Sequence, residues 1–356
     1  MAETISLLPD EFESDLASVL FAVDILAPFS FSFAGGPPIN VDAAAIGPSW
    51  SGTGLAQPTD LTAEALLGRA ITSTLYYRAY ARPIGDVQME LESSPEEDAA
   101  FVRRLAGANA GRERWDPGWA IYHFGVNGRI FVRKGERERV AMPGAFISDA
   151  VPGMALQIGT SVRLHAPRES LDSQPSYYFA FGETLDELAE QLSLVRFYFH
   201  CGPESVVLLL AEITSALNRF QVPFRLKALN RPALYGRTDA MVLYVGAQHF
   251  CITARIVGLV RERVALAPSV PLFAKRLWPG IGVAVEPGTG ESFGLHRCRL
   301  VAEGIVDAWR EGKGDVTARF EAVAARFAGA DLDLARPYLG PDGVDLFWLP
   351  MPASLP

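Results

Sequence analysis

The residues best placed to do chemistry lie in PFRLKALNRPALYGR, residues 223 to 237. Arg225 and Lys227 are two apart behind a proline, Arg231 follows, and Arg237 comes after a turn. A strand alternates its side chains between two faces, so Arg225 and Lys227 project from the same one. Two more cationic groups lie downstream: Lys275 and Arg276 in FAKRLWPG, and His296, Arg297 and Arg299 in ESFGLHRCRLVAEG. Gathering all three in adjoining elements costs like-charge repulsion unless an anion sits among them. Phosphate suits the planar fork of arginine, and backbone N–H groups at a helix start near Ser292 to His296 would add a positive dipole end. A plainer reading stands beside each residue. Arg299 is four residues before Glu303 and can pair with it along a helix, and His296 or His200 can be a satisfied structural histidine.

Lys227 stands out within this set. On an inward strand face beside Arg225, desolvation and neighbouring cations lower its pKa from about 10.4, whereas bound phosphate raises it. A general base at neutral pH requires the first two to prevail.

Composition sets the frame. The chain has 356 residues, 49% hydrophobic and 21% charged, which is globular and long enough for two or three packed units. Its formal net charge of −9 repels phosphate backbones and anionic membranes, so nucleic acid and membrane are not expected partners and any basic cluster is local. Cys201, Cys251 and Cys298 are far apart with no CxxC pair, which excludes a zinc ribbon and suggests a reduced cytoplasmic compartment. The apolar run LASVLFAVDILAPF is preceded by acids and interrupted by Asp24, unlike a signal peptide or a membrane span. Common signatures are missing. GPSWSG lacks the second glycine of a nucleophile elbow, leaving Ser49 a loop serine; GTGESFG has no phosphate-loop lysine; HExxH does not occur. No cofactor or metal is implied.

The positioning elements read as an α+β fold. Residues 1–114 are mainly helical around a Gly/Pro-rich loop, with DEFESDLASVLFAVDILA and LTAEALLGRAITSTLYYRAYARP at helical spacing. SPEEDAAFVRRLAGANAG adds a helix whose Ser94 and Glu97 form a capping box. Residues 115–182 alternate around an Asn-Gly turn as a small antiparallel sheet or half-barrel. Residues 183–356 interleave strands with helices as β-α-β-β-α-β-β-α, favouring a sheet with helices on one side as the catalytic domain.

The segments RLAGANAGRERWDPGW (104–119), VPFRLKALNRPALYGRTDAMVLYV (222–245) and FAKRLWPGIGVAVEPGTGESFGLHRCRLVAEGIVDA (273–308) resemble the HopA-type type III secretion effector family. Its non-effector relatives serve as the lyase component of class V lanthipeptide synthetases, and the likeness spans roughly the last two thirds of the chain. It implies phosphoserine and phosphothreonine lyase activity: a separate kinase phosphorylates a leader-bearing precursor peptide, and the lyase eliminates phosphate to give dehydroalanine or dehydrobutyrine. A more distant likeness is to phosphothreonine lyases and the lyase domains of class III and IV synthetases, with a KxHxS strand, a helix, an FK strand, a Tyr-x-Arg turn and a strand ending in Tyr. FYFHC, the helix from Pro203, PFRLK, LYGR and MVLYV follow in that order. The likeness makes His200 the leaving-group acid, Arg237 a phosphate ligand and Tyr244 a site-lining hydroxyl. Here Arg225 follows Phe224 where the pattern has lysine, so the base role falls to Lys227; Tyr198 stands at the position of the first lysine, and His296 competes with His200 as the acid. The expected phosphate ligands are Arg225, Arg237, Lys275, Arg276 and Arg299. A non-catalytic effector or a phosphopeptide-binding module is the alternative.

Overall fold

The computed structural model describes residues 10–41, 62–86, 92–151, 153–185 and 194–347. Its first helix, α1 (Asp10–Ala22), stops where the β-branched Val23 begins a small antiparallel sheet of β1 (Val23–Ala27), β2 (Ser30–Phe33) and β3 (Ile39–Asn40). The sequence reading continues the helix through β1 and takes β2 and β3 as loop; the alternation of Phe31 and Phe33 inward with serines between them decides for strand. GPSWSG, with Ser49, lies outside the described residues.

Helix α2 (Ala63–Leu75) starts at Thr62, whose hydroxyl accepts from Ala65 N at 3.3 Å, and runs into a π-helical turn, Tyr76–Tyr80. Helix α3 (Pro95–Ala108) carries the expected reciprocal capping box between Ser94 and Glu97. A five-stranded antiparallel sheet follows in the order β6-β5-β4-β8-β7, from β4 (Arg114–Phe124), β5 (Ile130–Lys134), β6 (Arg137–Ala141), β7 (Phe146–Ser148) and β8 (Ser161–Ala166). Asn127 takes the left-handed conformation in the Asn-Gly turn between β4 and β5. Trp119, Ile121, Ile130, Val132, Ala141 and Val162 form a core of their own under this sheet.

The central layer is a seven-stranded antiparallel sheet. It consists of β9 (Glu169–Ser170), β10 (Tyr177–Phe181), β11 (Leu194–Phe199), β12 (Phe224–Leu229), β13 (Met241–Gly246), β14 (Lys275–Trp278) and β15 (Ile281–Val285). Their order is β14-β15-β11-β13-β12-β10-β9, so β9 and β10 lie with the C-terminal strands although they fall within 115–182. The α+β class is thus as read. Helices cover both faces of the sheet, not one. Phe197 stacks on Phe250 of α5 (Phe250–Val260), whereas its neighbour Tyr198, pointing the opposite way, meets Phe293 of α6 (Phe293–Arg310). Helix α4 (Pro203–Arg219) packs beside α5, and α2 and α7 (Val316–Ala328) pack against α6. Both faces are apolar, so each must be covered, and burying each such ring contributes about 1.5–3 kcal/mol.

The helix pair α6–α7 depends on a close approach at Gly304, where an added Cβ would lie 2.6 Å from Val323 Cα. Backbone cannot yield as a side-chain tip can. Gly304→Leu should therefore destabilise the protein by about 1–3 kcal/mol or more, read as a lower urea midpoint at unchanged slope. An unchanged midpoint would show that this crossing is not tight.

Candidate active site

Register assembles the site. Strand β12 puts Arg225 and Lys227 on the face away from α5, because Leu226 between them belongs to the buried core on the other side. Directly across the ladder Arg225 meets Tyr244 of β13, and Tyr244 meets Arg196 of β11. A row Arg225–Tyr244–Arg196 thus crosses three strands on one face, and the next row holds Phe179, Lys227, Val242 and Tyr198.

The Tyr244 ring lies between cations, with the Arg225 guanidinium 4.6 Å and that of Arg196 5.1 Å from its centroid. Lys227 Nζ is 6.0 Å from the same ring, 4.3 Å from that of Tyr177, and donates to Gln174 Oε1 at 3.3 Å. Arg196 is buried and ion-paired with Glu286. Among the described residues neither Arg225 nor Lys227 has a carboxylate partner. Ser173, Gln174, Phe179, Phe181, Arg225, Lys227 and Tyr244 line a pocket of about 250 Å³.

The ionisation of Lys227 and Tyr244 is linked. Burial works against a Tyr244 phenolate, but the charges of Lys227 and Arg196 outweigh it and bring the phenol below its ordinary value of 10.0. Burial likewise works against the Lys227 ammonium and is outweighed, chiefly by the neighbouring Tyr244, so its pKa is raised. The lowering that a lysine base requires is not found. The same field acidifies the tyrosine.

Arg237 lies beside this pocket in a clamp of its own. Its Nε and Nη2 donate to Asp239 Oδ1 and Oδ2 at 2.7 and 2.8 Å, and Nη2 reaches Tyr76 Oη at 3.2 Å. Burial opposes the Asp239 carboxylate, yet Arg237 holds it below the usual range. The charge of Arg237 is therefore already matched, although the pair is close enough to act on Tyr177.

The other expected residues are elsewhere. Lys275 stands opposite Val283 in the ladder, on the Phe197 side of the sheet, and its Nζ is 3.2 Å from Asp345 and over the Tyr338 ring. Arg276 is exposed on the edge strand β14. Arg299 is held by Glu291 at 3.0 Å and Glu303 at 2.9 Å, as the helix-pair reading allows. A buried carboxylate, Glu291, thus stands immediately before Ser292, the N-cap of α6. Arg297 is fully buried and donates to the carbonyls of Pro337 and Leu339. His296 Nδ1 accepts from Arg297 Nη1 at 2.6 Å, and burial with that neighbouring charge lowers its pKa to about 4. It is a neutral acceptor at pH 7 and outside the pocket. His200, at the end of β11, has Nδ1 3.2 Å from Ser269 O and a pKa lowered by burial; it too does not line the pocket.

Sequence reasoning overlooked Arg196, Tyr177, Gln174 and the Tyr76–Asp239 partners of Arg237. Arg196 left a signal, a lone charge inside the apolar strand LVRFYF. Gln174 left none, because it lies in a loop whose path only the fold sets.

Residues 168–339 match the family model of the HopA1 effector protein family. This segment belongs to that family. Two solved structures are similar, both effector proteins of Pseudomonas syringae. That from pv. tomato strain DC3000 is 13% identical, covering 81% of this chain and 92% of its own, with a TM-score of 0.43. That from pv. syringae strain 61 is 13% identical, covering 75% and 88%, with a TM-score of 0.41. No curated protein sequence matches the chain. Among the described residues no helix is long and apolar enough to cross a membrane, and no group of three His, Cys, Asp or Glu could hold a metal ion.

The depressed pKa of His296 gives a pH dependence with a fixed sign. Below pH 6.5 the unfolded chain takes up a proton that the folded chain refuses until about pH 4, so stability falls as pH drops through this window. His296→Gln keeps an acceptor for Arg297 and should make that fall shallower in thermal melts between those two pH values. An equal fall would show that His296 charges freely in the folded state.

Proposed function

We propose that the chain is a carbon–oxygen lyase that eliminates phosphate from phosphoserine or phosphothreonine in a peptide, leaving dehydroalanine or dehydrobutyrine as in lanthipeptide biosynthesis. The observation that carries this reading is the pairing of Arg225 and Lys227, two cations without carboxylate partners among the described residues, with an acidified Tyr244 in one small pocket. A phosphate monoester dianion supplies the charge that the pocket lacks, and Arg225 can hold two of its oxygens at once. The resemblance of the sequence to lanthipeptide lyase components points the same way. A separate Ser/Thr kinase would supply the phosphorylated, leader-bearing precursor, and the work would be done in a bacterial cytoplasm.

Elimination needs a base at Cα and charge stabilisation at the leaving oxygen. In this reading the Tyr244 phenolate, held between Arg196, Arg225 and Lys227, takes the Cα proton. The C–H electron pair becomes the Cα–Cβ π bond, the Cβ–O bond breaks, and phosphate departs with its electrons toward Arg225 and the Lys227 ammonium. This assignment moves the base from Lys227 to Tyr244, because the field favours a proton on the amine and a charge on the phenol.

Kinetics of the variants test it. Tyr244→Phe should lower kcat by about 10²–10⁴-fold with little change in phosphopeptide affinity, while Lys227→Gln should weaken binding first. The wild-type kcat should rise with pH through an inflection below that of ordinary tyrosine, about 10, and the variant should lack it. An active Tyr244→Phe with a dead but binding-competent Lys227→Gln would return the base role to lysine. Tight retention of phosphopeptide by wild-type protein with no turnover would instead support the binding-module alternative.

A further inference from the structure

One of the two arginines on the Tyr244 ring is itself held in place. Strand β11 sets Arg196 opposite Tyr244 of β13 on one side and opposite Ala284 of β15 on the other. Glu286 directly follows β15, and its N–H donates to Leu194 O at 2.8 Å, so the backbone of β11 fixes where this side chain starts. Its Oε2 meets both Nε and Nη2 of Arg196, and the same guanidinium lies 5.1 Å from the centroid of the Tyr244 ring. Glu286, Arg196 and Tyr244 thus make a chain of contacts that ends at the pocket. Tyr244 lines that pocket; Arg196 and Glu286 do not. Their side chains are 8% and 21% exposed, so water screens the pair little.

Arginine keeps its proton at any working pH, so the charge beside Tyr244 is constant and only its placement and its counter-charge can be set by the fold. Both fall to Glu286. After burial, which raises the Tyr244 phenol, and Lys227, which lowers it, come Arg196, lowering it, and then Glu286, raising it by less. The other ionisable groups acting with Tyr244 are Arg225 of β12, Tyr177 of β10 and Tyr198 of β11. The cleft of about 580 Å³ on its open side is also lined by Arg114, Asp116, Arg137, Arg139 and His165. All of these stay in place in the comparisons below.

Resting on the lyase reading of the Lys227 pocket, we propose that Glu286 is a positioning residue for the elimination: it fixes the Arg196 guanidinium against the Tyr244 ring and sets how much of that positive charge the base feels. A phenol that ionises too readily gives a phenolate too weak to take a Cα proton, and one that ionises too late is seldom a base at all. Glu286 holds Tyr244 between these limits. With the carboxylate charge removed alone, the phenolate forms at lower pH and pulls less strongly on the proton. With the cation removed as well, it forms at higher pH.

The test uses the full-length protein and two variants. Glu286→Gln keeps an acceptor for Arg196 but no charge, and Arg196→Met with Glu286→Gln removes both charges and leaves no ion buried alone. The ionisation of Tyr244 is read by ultraviolet difference titration of tyrosinate against Tyr244→Phe in each background, which needs no substrate. Burial raises the neighbouring Tyr76, Tyr80, Tyr177 and Tyr198, so the Tyr244 phenolate forms before theirs. In Glu286→Gln this step and the inflection of kcat on a phosphoserine peptide should both move to lower pH, with plateau kcat falling up to about tenfold and KM little changed. In the double variant both should move to higher pH. A purely structural role would lower stability and move neither. A Tyr244 titration that stays in place in the double variant overturns the proposal, and that variant decides alone if Glu286→Gln, with Arg196 left buried without a counter-charge, does not fold. Tyrosinate steps that move in these opposite directions, in a protein that eliminates phosphate from no phosphopeptide, overturn the lyase reading and leave Glu286 as the group that sets the ionisation of Tyr244.

Discussion

Cations on one face of a sheet repel, and the arrangement around Tyr244 is the way this protein accommodates them. Arg196, Arg225 and Lys227 come from two strands that flank β13, and the ladder holds them at fixed spacing. Arg196 is neutralised by Glu286 and Arg237 by Asp239. The face of the Tyr244 ring takes part of the remaining charge, and the rest is left for an anion. A coupled Lys227–Tyr244 pair follows from the same field, since each partner's charge stabilises the other's against burial.

The rest of the fold serves that face. Over Tyr198 it is closed by Tyr80 and Phe293, which come from the π-helical turn and from α6. Beyond Arg225 it stays open toward the five-stranded sheet. The central sheet can be this precise because its opposite side is packed: Phe197, Leu226 and Leu243 are fully buried. A one-residue slip of β12 would exchange Lys227 for a core leucine, so burial on the far side fixes the register of the chemistry on the near side.

Much of this was legible from residue order, and the exceptions have physical causes. Arg225 and Lys227 were put on one face by strand alternation, which is a local rule, whereas Tyr244 came from the family likeness alone. The capping box at Ser94, Pro203 at the first turn of α4 and the Asn127 turn were found because caps and turns are local too. Lys275, Arg276, Arg299 and His296 were drawn into the site by charge alone, and sequence does not show that Asp345 and Glu291 would meet two of them first. β1 to β3 were read as helix and loop because a five-residue strand after a helix carries too few periods to be told apart. Helix α7 was not singled out, and Arg196 was missed because one charge in a strand reads as noise until Tyr244 stands beside it.

The most direct test of the central claim is mass spectrometry of a phosphoserine peptide after incubation with the purified protein. The account predicts loss of the elements of phosphoric acid, giving a dehydroalanine residue that adds thiols, and no such loss with Tyr244→Phe. Recovery of the free serine hydroxyl would mean hydrolysis, and would contradict an elimination run by the Tyr244–Lys227 pair.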